Sequence, residues 1–219
     1  MADLKVRIVK RVAKELNDGD VVNLGIGIPT MVADYIPSDI EIILQSENGL
    51  LGMGGAPTEE ELNLNVQNAG AQFITARPGA MFFDSATSFV MIRGGHVDVT
   101  VLGAMEVDQF GNLANFMIPG GKISGMGGAM DLASGARKVI IAMLQSGPKG
   151  PKLVKKCSLP LTARNAVDII VTEMGVFRPA GEKGMELLER FSDYSLEEIR
   201  EKSGCDIVVE GAEKVIEDL

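Results

Sequence analysis

Leu4, Ile8, Val12 and Leu16 recur every four positions, and Lys5, Arg7, Lys10, Arg11 and Lys14 fill the other faces. That spacing predicts an amphipathic helix, with Gly19 placed to end it. A short β-type run at 20–24 leads into Gly25-Ile26-Gly27-Ile28-Pro29-Thr30. Pro29 fits the first turn of a second helix carrying Met31, Val32, Tyr35 and Ile36, which Pro37-Ser38 then breaks. Residues 41–44 read as a strand running directly into Gln45-Ser46-Glu47-Asn48-Gly49. Further apolar, β-branched runs fall at 97–102, 139–144, 167–171 and 207–209. Ser195-Leu196-Glu197-Glu198 has the S-x-x-E form of a capping box and starts a helix that closes at Gly204.

Buried-looking strands interleaved with helices predict a single α/β domain over residues 1–219. Its core is one open, largely parallel sheet flanked by helices on both sides. Ligands in such sheets sit beyond the carboxyl ends of the strands, which is where the Gly25 and Glu47 segments fall. No internal repeat, linker or low-complexity stretch interrupts the chain.

Composition narrows the function classes. The formal net charge is −9, and this acidic balance argues against a nucleic-acid binder, which normally shows a basic face. An anionic cofactor is still possible, because local cations could hold its phosphates. Residues 149–156 (KGPKLVKK) form one such basic patch, although a charge run more often marks a solvated loop. The N-terminal stretch carries charges throughout and no apolar run approaches the roughly 20 residues that span a bilayer, so a soluble, cytoplasmic protein without membrane contact is expected. Cys157 and Cys205 are far apart, form no CxxC, and read as reduced thiols.

Glu47 is the most informative residue. It stands between Ser46 and Asn48 at a strand end, ahead of a glycine-rich turn, SENGLLGMG at 46–54. Packing explains such a position poorly, and the glycines let a ligand or a second backbone approach closely. The carboxylate could serve as nucleophile, general base or metal ligand, or be a plain surface group. No His/Cys/carboxylate cluster has ligand spacing, so no metal is expected. His96 is the only histidine. It belongs to no nucleophile pair, which weakens a hydrolase triad and favours a structural role. Gly25-Ile26-Gly27 lacks the third glycine of a dinucleotide fingerprint, and no GxxxxGK[ST] is present.

NLGIGIP (23–29), SENGLLGMG (46–54), FFDSATSFVMIRGGHVDVTVLGAMEVD (82–108), LANFMIPG (113–120), GMGGAMDL (125–132) and KCSLPLT (156–162) occur in this order. Together they closely resemble the β subunits of family I CoA transferases, with the nearest likeness to 3-oxoacid and acetate/butyrate–acetoacetate enzymes. The resemblance implies a transferase that moves coenzyme A between an acyl-CoA and a carboxylic acid, with no permanently bound cofactor and a CoA thioester as substrate. It places the nucleophile on Glu47, which would carry first an acyl anhydride and then a glutamyl–CoA thioester.

The resemblance further implies that Asn23, Asn48 and Asn115 line the CoA or acyl pocket. Gly127, Gly128 and Ala129 would pack against the thioester end. Backbone N–H groups of Gly25 and Gly27 are candidate oxyanion donors beside Glu47. An α subunit is expected as partner, in a heterodimer or α2β2 heterotetramer, together with acyl-CoA and small carboxylic acids. Fused relatives carry a lysine after Asn-Ala-Gly, where this chain has Ala71 after Asn68-Ala69-Gly70. That difference favours a monocarboxylic over a dicarboxylic acid, unless Arg77 or Arg93 serves in its place. Alternatives with the same backbone are a transferase for glutaconate or a hydroxyacid, and a non-catalytic metabolite-binding subunit.

Overall fold

The computed structural model describes residues 2–121 and 125–217. Chain order begins with α1 (Ala2–Ala13), β1 (Val21–Leu24), a 3₁₀ helix at Pro29–Tyr35, β2 (Ile43–Ser46), β3 (Leu50–Met53), β4 (Ala76–Phe82) and α2 (Ser85–Arg93). Next come β5 (Val99–Leu102), β6 (Glu106–Asp108), β7 (Leu113–Ala114), α3 (Ala129–Gly135), β8 (Lys138–Ala142), β9 (Ser146–Gly147), β10 (Gly150–Pro151) and β11 (Leu153–Val154). The chain closes with β12 (Ile169–Val171), β13 (Gly175–Pro179), a 3₁₀ turn at Gly181–Lys183, β14 (Met185–Phe191), α4 (Leu196–Glu201), β15 (Ile207–Val208) and β16 (Val215–Ile216).

Eleven strands form one open sheet in the order β15-β14-β13-β12-β8-β5-β1-β2-β3-β4, with β16 also on β14. The central run from β12 through β8, β5 and β1 to β2 is parallel. Antiparallel strands extend it at both ends: β3 and β4 beyond β2, and β13 and β14 beyond β12. The expectation of a largely parallel sheet therefore describes the centre, and the whole sheet is mixed.

Alternation along the central strands builds two cores. On β8, Ile140 and Ala142 join α1 residues Ile8, Val9 and Val12 in one cluster. Val139 and Ile141 join Ile92 of α2 and Leu132 of α3 in the other. Successive side chains of a strand point to opposite faces, so helices are needed on both sides of the sheet. α1 and the Pro29–Tyr35 turn cover one face; α2, α3, α4 and a small separate sheet in the order β11-β6-β7 cover the other.

Some boundaries differ from the sequence expectations. The first helix ends at Ala13, and its last turn tightens through Glu15 N–H to Val12 and Leu16 N–H to Ala13 carbonyls. Gly19, at φ +83°, instead shapes the turn into β1. The helix expected after Pro29 is a seven-residue 3₁₀ helix with the proline in its first turn. The capping box is present, with Ser195 accepting from the Glu198 N–H and the Glu198 carboxylate accepting from the Ser195 N–H.

Candidate active site

Glu47 sits at the tip of the β2–β3 hairpin, in a three-residue loop between paired Ser46 and Leu50. The turn is closed by the Gly49 N–H donating to the Ser46 carbonyl at 3.0 Å. Gly49 has φ +123°, and a Cβ there would lie 2.0 Å from the Phe83 carbonyl oxygen. Only glycine satisfies both demands, so this residue fixes where the hairpin tip points.

Polar side chains behind Glu47 hold it in place. Asn23 of β1 and Gln45 of β2 are register partners on adjacent parallel strands, so they share the sheet face covered by α2 and α3. The Asn23 amide donates to Gln45 Oε1 at 2.7 Å and to Glu47 Oε2 at 3.1 Å. Gln45 in turn donates to Ser88 Oγ of α2 at 2.9 Å. Asn23, Gln45 and Ser88 are all buried, which makes this a fixed support rather than a surface network. Asn23 Oδ1 is buried and takes no partner among the described residues. Glu47 itself forms no ion pair among those residues.

Opposite this support, Gly128 packs on the carboxylate. A Cβ at that position would stand 3.1 Å from Glu47 Cγ, 3.5 Å from Oε1 and 3.5 Å from Phe89 of α2. The N-terminal approach to α3 therefore lies directly against the Glu47 side chain, and any side chain there would crowd it. On its open side Glu47 borders a cavity of about 600 Å³. Ile26, Gly27, Asn68, Gly70 and Phe73 are among the residues that line that cavity. Asp34 and Glu47 are its only charged lining residues among those described.

The family profile for coenzyme A transferase matches residues 5–202. The chain belongs to the coenzyme A transferase family. It is 55% identical to the acetate CoA-transferase subunit beta of Escherichia coli K12, over 80% of this chain and 81% of that protein. It is 46% identical over 94% of its length to a mitochondrial succinyl-CoA:3-ketoacid coenzyme A transferase of rat, of which it spans 40%. An acyl-CoA transferase structure from Escherichia coli O157:H7 superimposes with a TM-score of 0.77 at 23% identity, covering 98% of this chain and 43% of that one.

Of the residues that the CoA transferase resemblance marks out, the fold gathers Asn23, Gly25, Gly27, Glu47 and Gly128 around one carboxylate or its cavity. Gly25 does not fit the part of oxyanion donor, because its N–H already donates to the Val101 carbonyl at 2.8 Å. That bond ties the turn to β5. Gly27, at φ +94° and exposed on the cavity wall, keeps its N–H unengaged among the described residues. Asn48 is exposed and its amide donates to the Gln67 carbonyl at 2.8 Å. Asn115 is half-buried beyond β7; it donates to the Gly103 carbonyl at 3.1 Å and accepts from Thr162 Oγ1 at 2.6 Å, and its bonds do not reach Glu47. Gly127, at φ +50°, is exposed, and Ala129 opens α3.

Other chemistry-bearing groups lie elsewhere. Of the basic patch, Lys149, Lys155 and Lys156 are exposed, while Lys152 is half-buried and donates to the Ala104 carbonyl at 3.1 Å. Burial lowers the Lys152 pKa. His96 is exposed after α2 and does not line the cavity, and Arg77 and Arg93 do not line it either. Both cysteines are free. Burial pushes both thiols up, Cys205 to about 12, so neither supplies a thiolate at neutral pH.

Reading the sequence alone overlooks Gln45, Ser46, Ser88 and Phe89. Gln45 and Ser46 look like loop because they are polar, yet both belong to β2. The available signal was a polar residue late in one apolar run, Asn23, and just after another, Gln45, which the parallel register sets side by side.

Proposed function

We propose that this chain is the nucleophile-bearing β subunit of an acyl-CoA:carboxylate CoA-transferase, with Glu47 as its covalent carrier. The observation that carries this reading is the state of the Glu47 carboxylate. Its Oε2 is held by Asn23, and its Oε1 lies against the glycine face of Gly128. One oxygen is oriented and the other is left to react.

In the first step that oxygen attacks the thioester carbonyl of the acyl-CoA. The C–S bond breaks, leaving an acyl–glutamyl anhydride and CoA thiolate. The thiolate then attacks the glutamyl carbonyl, expelling the acid as its carboxylate and leaving a glutamyl–CoA thioester. A second carboxylate runs the sequence in reverse and departs as its CoA ester. A carboxylate is a weak nucleophile, so orientation by Asn23 and charge stabilisation by the Gly27 N–H are what the site has to offer.

The acid is monocarboxylic and short, of the acetate, butyrate or acetoacetate kind. No cation lines the cavity among the described residues, so the second carboxylate of succinate would be desolvated beside Asp34 and Glu47 without a counter-charge. Ala71 where fused relatives have lysine points the same way. Comparing turnover with acetyl-CoA and succinyl-CoA tests this, and a clear succinyl preference overturns it.

A second chain completes the enzyme, as an α subunit in a heterodimer or α2β2 assembly. Its need is supported by exposed apolar residues beside the site, Phe82 at 62% and Val90 at 68%. Activity of this chain in isolation would refute it.

Trapping with borohydride tests the covalent step. The chain, with its partner, is treated with acetoacetyl-CoA and then borohydride, which reduces a glutamyl thioester to the alcohol. A mass loss confined to the peptide containing Glu47, and absent without acyl-CoA, is expected. Turnover with no such change would remove Glu47 as the carrier.

A further inference from the structure

Residues 66–74 form a narrow excursion whose strands pair at Gln67 and Phe73. Its tip is organised by Asn68, whose Oδ1 accepts from the Gly70 and Gln72 N–H groups at 2.9 and 3.0 Å. The Asn68 carbonyl accepts from the Ala71 N–H at 2.9 Å. Ala71 holds φ 60°, a conformation an alanine adopts at a cost of roughly 1–2 kcal/mol. Such a bend persists when its surroundings over-determine it.

Those surroundings are the two chain neighbours of Glu47. On one side, buried Ser46 accepts from the Ala69 N–H through its Oγ at 3.0 Å. On the other, Asn48 donates to the Gln67 carbonyl at 2.8 Å. The loop is thus fastened at two points that straddle the carboxylate. Its tip also meets the 25–29 turn: a Cβ on Gly70 would lie 3.4 Å from Ile26 Cγ1. Asn68, Ala69, Gly70, Gln72, Phe73 and Ile74 all line the cavity.

We propose that Ser46 and Asn48 are positioning residues that yoke the 66–74 loop to the Glu47 hairpin and so set how the carboxylic acid is held against Glu47. This rests on the reading of Glu47 as carrier. The acid's non-reacting end lies against the loop, while its carboxylate faces the hairpin tip. A wall fastened on both sides of the nucleophile keeps that distance constant through both half-reactions. Losing one fastening leaves Glu47 in place, because Asn23 and Gly49 hold it independently.

The test is kinetic and structural, on the chain with its partner. Ser46→Ala and Asn48→Ala are each expected to raise KM for the acceptor acid about three- to tenfold, the worth of one hydrogen bond. The KM for acyl-CoA and kcat should move less than about twofold. Amide exchange across 66–74 should quicken in both variants. Ser46→Thr keeps the hydroxyl and should restore the acid KM, and Asn48 is exposed, so its variant is not confounded by misfolding. A uniform fall in kcat with unchanged acid KM, or unaltered exchange in 66–74, overturns the yoke. Borohydride trapping run on the wild type separates the two ideas. Alcohol at Glu47 with no KM effect sinks only the yoke, whereas quickened exchange without any trapping sinks only the carrier.

Discussion

The two ends of the sheet are built to different standards. At the far end, β14 is flanked on both sides, by β13 and by the two-residue strands β15 and β16. Its Met185, Leu187 and Phe191 are buried. Its acidic residues are answered by cations: Glu186 by Arg178, and Glu189 by Arg11 at 2.6 Å and by Lys214. At the near end, β4 has a neighbour on one side only and is exposed along nearly its whole length. Pro78 and Gly79, at φ +85°, blunt this edge against pairing, yet Met81 and Phe82 leave apolar surface open. Glu47 belongs to the near end. The far end satisfies itself, and the end that holds the Glu47 site leaves apolar surface uncovered.

The largest effect expected at the near end is catalytic. Glu47→Gln keeps the shape and the Asn23 neighbour but removes the charge of the proposed nucleophile. Turnover with the partner present should fall about a thousandfold or more, the scale on which removing a covalent nucleophile acts. The melting temperature should barely move. Retained activity would mean that the partner carries the chemistry, and would reverse the contrast between the two ends.

Gly49→Ala sharpens the same point through the backbone. The added Cβ collides with the Phe83 carbonyl at 2.0 Å, so the hairpin tip must shift. Both activity and stability should fall, the latter by about 2–3 kcal/mol, as thermal unfolding would show. A variant that melts normally and turns over would show that the tip is not held as described.

How much of this contrast was legible follows from what each strand hides. Central strands such as β5 and β8 are buried on both faces, so they read as β-branched, mostly apolar runs at 97–102 and 139–144, with only Asp98 and Thr100 polar. The β13–β14 pair did not show itself. Glu186 and Glu189 are buried acids made tolerable by Arg178, Arg11 and Lys214; Arg178 answers Glu186 across the β13–β14 pairing, and the partners of Glu189 lie 178 and 25 residues away in sequence. β4 was equally hidden, because an exposed edge strand carrying Pro78 and Gly79 has no alternation to detect. Glu47 stood out through its glycine setting, but its role came from resemblance. Loss of the Gly25 N–H to Val101 depends on a pairing that no local pattern encodes.

The far end should break differently. Arg11 is buried between Glu189 at 2.6 Å and Glu15 at 2.8 Å, and Lys138 also reaches Glu15. Arg11→Met should cost about 3 kcal/mol, the low side for a broken buried pair, because Lys138 and Lys214 still answer the two acids. Turnover per folded molecule should not change, since the network is remote from Glu47. The same network gives a pH signature. Burial alone would raise the Glu15 and Glu189 pKa values, but hydrogen bonds and charge from Lys138, Arg11 and Lys214 outweigh it and bring both below the ordinary 4.5. Depressed folded values mean stability that is present above about pH 4.5 and is lost as pH falls through the folded pKa values. In Arg11→Met that acid-side slope should flatten, which denaturant titrations between pH 6 and 3 would reveal. An unchanged slope would place acid sensitivity elsewhere.

The smallest effect on the isolated chain is expected at the exposed edge. Phe82 is 62% exposed, so Phe82→Ser removes little buried area and should change stability by no more than about 0.5 kcal/mol. If the near end is finished by a second chain, the same substitution should weaken co-purification with that chain while the melting temperature of the isolated subunit stays put. A large stability loss in isolation would show that β4 is already packed within this chain. Unimpaired assembly with an unchanged melting temperature would move the partner's footprint away from β4, toward other exposed apolar residues such as Val90 of α2 and Met130 of α3.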